Sequence, residues 1–214
     1  MGIELFLFLA ILLFSVVIHE VSHGVAAYSM GDDTAKKLGR LTLNPLKHLD
    51  PFGSVILPLI LILISWGGNG PGFIFGYAKP VPYNPFNLSD RKYGPAKVAL
   101  AGPLSNLAVA FFFGTMFRLS ASGILPIQSL AVMEMFLTIV WINVLLAVFN
   151  LLPIPPLDGH WLVLTFLPDK FRRFKMIFQQ MGIFLFLILI FVIFPLILPI
   201  IVSITELMIG QPLS

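Results

Sequence analysis

The chain has 214 residues, 58% of them hydrophobic and only 11% charged, with a net charge of +3. Soluble domains carry about 25% charged residues, so lipid must cover much of this surface, and the few basic residues, spread over short loops, offer no footprint for nucleic acid. With no cysteine, disulfides, thiolate metal sites and cysteine nucleophiles are excluded, and any metal must be held by His and carboxylates.

The first apolar run, Ile3 to Val17 in a stretch of about 3–29, lacks the basic leading segment of a signal peptide, its early charge being Glu4, and shows no small-x-small cleavage pattern. It therefore reads as a retained span. Within it lies His19-Glu20-Val21-Ser22-His23. Helical positions i and i+4 share a face, so both imidazoles can reach one ion. Glu20, beside the first of them, is placed to take a proton from an activated water. On a soluble surface this pattern is often only a polar helix face. Inside a span, each charge near the helix centre costs about 2.5–3.5 kcal/mol, and such residues are functional by default.

Lys36, Lys37, Arg40 and Lys47 follow this span, and His48 beside Lys47 reads as an exposed loop histidine. Phe52 to Trp66 is short for a crossing and contains Pro58. It leads into a Gly-rich loop and then into 73–82, whose aromatic and β-branched residues with Gly and Pro punctuation suit an extended or hairpin return. Non-helical backbone at membrane depth is tolerated only against protein or a water-filled cavity. The segment 52–85 is therefore expected to be a re-entrant or hairpin insertion lining such a cavity, with a strand edge at 73–82 available to an extended peptide.

The next span, 94–118, carries Gly102-Pro103-Leu104-Ser105-Asn106 near its start, and 128–152 carries Asn143 and Asn150 on one face, with Glu134 near the outer interface. A final apolar run, 176–205, is interrupted by Pro195 and Pro199. Lys79, Arg91, Lys92 and Lys97 stand ahead of the second clear span, and Lys170, Arg172, Arg173 and Lys175 ahead of the last; Arg118 alone marks the opposite end. Lys and Arg favour the cytoplasmic face, so 3–29 runs inward, 94–118 outward, 128–152 inward and the last run outward. The expected fold is an all-α polytopic membrane protein of about 4–6 membrane segments, with 1–214 forming one domain.

A catalytic zinc usually takes three protein ligands and keeps one position open. Asp158 fits the third place. It lies in Asn150-Leu151-Leu152-Pro153-Ile154-Pro155-Pro156-Leu157-Asp158-Gly159-His160, at the inner end of the third span, where the prolines break the helix and free the chain to turn. His23 and Asp158 each precede a basic loop closely, which puts both in the inner leaflet. His160 reads as a neighbour of the site rather than a fourth ligand, which would close it. Buried amides commonly bond neighbouring helices, the plain reading of Asn143; Asn106 and Asn150 are the candidates for holding a substrate backbone.

The order of His19-Glu20-x-x-His23, Gly102-Pro103-x-x-Asn106 and the 150–159 motif resembles the site-2 protease family of intramembrane zinc metalloproteases. Gly39-Arg40-Leu41-Thr42-Leu43-Asn44-Pro45 and the stretch from Gly76 to Pro85 look like its compact prokaryotic subgroup without PDZ or CBS domains. A single Gly precedes His160, where many relatives have two. The resemblance implies zinc bound by His19, His23 and Asp158, with Glu20 as general base. It also implies cleavage of membrane-embedded or membrane-anchored protein substrates, as in regulated intramembrane proteolysis at the cell membrane. The rival class is a metal or proton transporter using the same groups; such proteins usually show internal repeats, and none is visible here.

Overall fold

The computed structural model describes residues 2–50, 79–127 and 129–213, with Gly53, Ile56 and Ile60 between them. Among the described residues the fold is helical. Helix α1 (Gly2–Ser29), a short α2 (Thr34–Lys37), α3 (Gly94–Ala121) and α4 (Leu130–Asn150) are followed by α5 (His160–Phe166), α6 (Arg172–Gln180), α7 (Gly182–Ile188) and α8 (Phe194–Ile209). Helices α1, α3 and α4 are long and apolar enough to cross a membrane, and α8 is a shorter apolar helix. A helix of 28 residues, the length of α1 and of α3, is about 42 Å long at 1.5 Å per residue. That exceeds a hydrocarbon core of about 30 Å, so both fit with tilt. The expected insertion at 52–85 falls mostly outside the described residues; its end, 79–84, runs without helix or strand.

The apolar core lies where α3, α4 and α8 meet, with Phe117, Phe136, Val140, Val144, Leu189 and Ile201 at its centre. Close approach there depends on a small residue: a Cβ at Gly114 of α3 would sit 2.8 Å from the Met208 carbonyl of α8, the usual use of glycine between helices in lipid. Large side chains such as Phe111 and Leu104 face outward, as lipid-facing surfaces should.

The last apolar run does not form one helix. A π-helical turn, Leu189–Ile193, precedes Pro195 in the first turn of α8. Proline offers no N–H and crowds the carbonyl four residues earlier, and a wider turn relieves both problems. Before it, α6 buries none of its residues, and its Phe174, Met176 and Ile177 are exposed.

Two sets of hydrogen bonds tie the chain leaving α1 to the chain entering α3. In the first, the fully buried Asp32 carboxylate accepts from Thr34 Oγ1 (2.6 Å), Asn84 N (2.7 Å) and Asn87 Nδ2 (2.8 Å). Burial alone would raise its pKa, but these donors outweigh it and hold the carboxyl below the usual range. In the second, Arg40 Nη2 donates to the carbonyls of Lys79 (2.8 Å) and Pro80 (3.3 Å), and its Nη1 to the carbonyl of Lys47. His48 belongs to this set and is not exposed. It is wholly buried, its Nε2–H donates to the Thr42 carbonyl at 2.8 Å, and its carbonyl accepts from Lys79 N. The neighbouring lysine suggested solvent, but the imidazole is what closes the 42–48 loop.

Candidate metal centre

Three helices bring their polar residues to the same end of the bundle. His19 and His23 lie in the second half of α1, Gly102 lies about 12 Å into α3 by helical rise, and Asp158 lies in the loop that follows α4. One ligand atom from each of His19, His23 and Asp158 falls within 4.8 Å of the others. His19 Nε2 and His23 Nε2 stand 2.9 Å and 3.2 Å from Asp158 Oδ2. The rings meet edge to face with centroids 4.6 Å apart, as expected for i, i+4 neighbours on a helix.

The other ring nitrogens decide what these three atoms can be. Asn106 Nδ2 donates to the Ser15 carbonyl (3.2 Å) and to Asn143 Oδ1 (2.8 Å). This fixes the amide's orientation and leaves Asn106 Oδ1 for His19 Nδ1, at 2.5 Å. His23 Nδ1 meets the Val98 carbonyl at 2.7 Å. Both partners only accept, so both Nδ1 atoms carry the proton, which leaves Nε2 of each ring, beside a carboxylate oxygen, as the atom able to present a lone pair to a metal. Three acceptors thus converge in a buried place. His23 Nε2 has no hydrogen-bond partner, and buried polar groups are rarely left so. One proton would satisfy one contact, whereas a divalent cation satisfies all three. Two imidazoles and a carboxylate form a donor set suited to zinc, and their anchored Nδ1 atoms are the outer-shell support such ligands usually have.

The backbone of α3 is shaped around this cluster. A Cβ on Gly102 would stand 2.5 Å from His23 Nε2 and 2.6 Å from His19 Nε2. Next to it, Pro103 has no N–H to give the Ala99 carbonyl, and Ala99 lines the site. The Asp158 loop has a comparable constraint, since a Cβ on Gly159 would lie 2.3 Å and 2.4 Å from the carbonyls of Leu151 and Leu152. Gly159 N also donates to the Asn150 carbonyl at 2.7 Å, folding the loop back on the end of α4.

A cavity of about 120 Å³ opens beside the cluster, lined by Glu20, His23, Tyr83, Asp158 and Trp161 among others. At roughly 30 Å³ per water it holds a few waters beside the three acceptors. Glu20 Oε2 accepts from Val81 N at 2.8 Å. Tyr83 forms part of the wall, its hydroxyl buried there without a hydrogen-bond partner.

The site thus joins Glu20 with His19, His23 and Asp158. Asn106 is wholly buried, with its amide engaged by His19, Asn143 and Ser15 rather than turned to the cavity. Asn150 Nδ2 donates to the Leu146 carbonyl one turn back. His160 Nδ1 bonds the Leu157 carbonyl at 2.5 Å and stays out of the cluster. The sequence reading took Val81 and Tyr83 only as part of the 52–85 cavity lining, without singling out either, and missed Trp161. Only the Pro-rich composition around residues 80–85 and the position of Trp161 just after the Asp158 motif hinted at them.

The profile of peptidase family M50 matches residues 119–189, a stretch that includes Asp158. The protein named "Putative zinc metalloprotease YwhC" of Bacillus subtilis is 40% identical over 182 residues, covering 83% of this chain and 77% of that protein. Proteins named "Putative zinc metalloprotease Rip2" also match. The one from Mycolicibacterium smegmatis is 29% identical, over 83% of this chain and 64% of its own length. The one from Mycobacterium tuberculosis H37Rv is 35% identical, over 69% and 52%. No solved structure matches the chain.

Proposed function

Because the chain belongs to peptidase family M50, the site-2 proteases, and is a multi-pass zinc metallopeptidase, we propose that it hydrolyses peptide bonds of membrane-embedded or membrane-anchored proteins, in the cytoplasmic half of the bilayer. In this reading His19, His23 and Asp158 hold the zinc and Glu20 is the general base. The observation that carries it is the convergence of three acceptor atoms, with both Nδ1 protons already given to Asn106 and Val98.

A zinc ion held by these three residues would supply Lewis-acid chemistry, polarising a carbonyl and making a water easier to deprotonate. The chain's own residues supply the rest. The Glu20 carboxylate, held at Oε2 by Val81, takes the proton of the attacking water and delivers it to the leaving amine. The substrate must unwind locally, because helical backbone groups are satisfied internally and hidden from the site. Its extended stretch then needs new partners. Asn150, at the end of α4, is the proposed side-chain contact, and strand addition ahead of Lys79 is the proposed backbone one. The cytoplasmic placement is supported by the ends of the spans nearest the site, which carry Lys36, Lys37, Lys92 and Lys97.

The test is Glu20→Gln and Asp158→Ala in proteoliposomes with a co-reconstituted membrane substrate. Glu20→Gln should abolish cleavage and keep the metal, so that it traps substrate for mass spectrometry; Asp158→Ala should lose both metal and cleavage. Full cleavage by Glu20→Gln would remove the general-base assignment. Zinc flux in the same liposomes without peptide hydrolysis would favour a transporter instead.

A further inference from the structure

Arg40 is almost wholly buried, although its sequence position, after two lysines, is that of an ordinary cytoplasmic-face charge. Its guanidinium is spent on backbone carbonyls, those of Lys47, Lys79 and Pro80. The last of these matters most, because the Pro80 carbonyl and the Val81 N–H belong to one planar peptide group. Arg40 grips the oxygen side of that group at 3.3 Å, and Glu20 Oε2 accepts from its nitrogen side at 2.8 Å. Fixing the carbonyl fixes the direction in which the N–H points. A cation on the oxygen also polarises the amide and strengthens its donation to the carboxylate. Pro80 and Pro82 carry no N–H, so Val81 is the one backbone donor in 80–82. Its side chain is pinned as well, lying where a Cβ on Gly24 would meet Val81 Cγ1 at 2.7 Å, one turn along α1 from Glu20.

We propose that Arg40 is a positioning residue for Glu20, acting through the Pro80–Val81 peptide group. The inference rests on the reading of Glu20 as general base. Losing one charge-assisted hydrogen bond at the base corresponds to about a tenfold fall in kcat. KM should change by less than about twofold, because Arg40 lines no part of the cavity.

The test compares Arg40→Gln, Arg40→Lys and Val81→Pro, the last removing the donor N–H together with the valine side chain, in the full chain. Expected are a tenfold lower kcat in Arg40→Gln and Val81→Pro with zinc stoichiometry unchanged, partial recovery in Arg40→Lys, and no further loss when the first two are combined. Hydrogen exchange at Val81 in metal-free protein should be slow in the parent chain and fast in Arg40→Gln, independent of turnover. Additive losses, loss of zinc, or full kcat in Val81→Pro would overturn the relay. If Arg40→Gln does not fold, Val81→Pro and the exchange of the parent chain decide the matter. An active Glu20→Gln would instead overturn the general-base reading, whatever the outcome at Arg40.

Discussion

Replacing Gly102 by alanine separates two forces of opposite sign. Helix propensity alone predicts stabilisation of α3 by up to about 1 kcal/mol. The site predicts the reverse, because the added Cβ would lie 2.5–2.6 Å from both Nε2 atoms, well inside any real carbon–nitrogen contact. The rings cannot swing aside freely, as His19 is held by Asn106 and His23 by the Val98 carbonyl. Moving either ring breaks a hydrogen bond with a net value of about 1 kcal/mol, and moving α3 instead costs about 1–3 kcal/mol of overpacking. Either outcome displaces the atoms proposed to bind zinc, so Gly102→Ala should weaken zinc at least about tenfold, the scale seen when metal ligands lose their support. Competition against a chelator in detergent measures this. Gly114→Ala is the control, since it crowds the Met208 carbonyl and should lower thermal stability without changing zinc affinity. A Gly102→Ala protein that binds zinc as tightly as the parent would refute the reasoning.

Asn106→Ala should cost about 10–100-fold in zinc affinity, read by the same competition, because His19 loses the acceptor that fixes its tautomer. Gly159→Ala drives a Cβ into two backbone carbonyls that cannot yield; the expected result is loss of both zinc and the folded 151–159 loop, measured by metal content and protease sensitivity. Asp32 gives a pH dependence outside the spans. Its folded-state pKa is depressed, so its contribution is complete above the unfolded value of about 3.9 and is lost as pH falls through the folded value. Thermal melts from about pH 6 down to about pH 2 should show this loss only below about pH 4 in the parent, and Asp32→Asn should flatten it.

The spacing of His19 and His23 and the proline-rich run to Asp158 were legible because each is local, and because a charge inside a span is too costly to be incidental. The three long spans were legible from length and apolarity. The partner of Asn106 was not, since its bond to His19 depends on how α1 crosses α3, a relation no local pattern carries. Arg40 and His48 misled for a related reason. A basic stretch marks a side of the membrane, but only the folded loop shows a guanidinium and an imidazole turned inward to satisfy carbonyls. The interruption of the last apolar run at Pro195 was legible as well, because proline's backbone demands are local, whereas the π-helical turn that precedes it was not.

The histidines and Asp158 reach one another only after α1, α3 and the loop beyond α4 have packed, with Asn106, Asn143 and Ser15 locking the crossing. A cation bound there would therefore act as a rivet across the assembled bundle. By linkage, an ion that binds the assembled chain and not the loose helices stabilises assembly by RT ln(1 + [L]/Kd), about 2.7 kcal/mol at one hundred times Kd. Metal supply would then set how much of the protein completes its tertiary structure after insertion, so that scarcity of zinc lowers its abundance as well as its turnover.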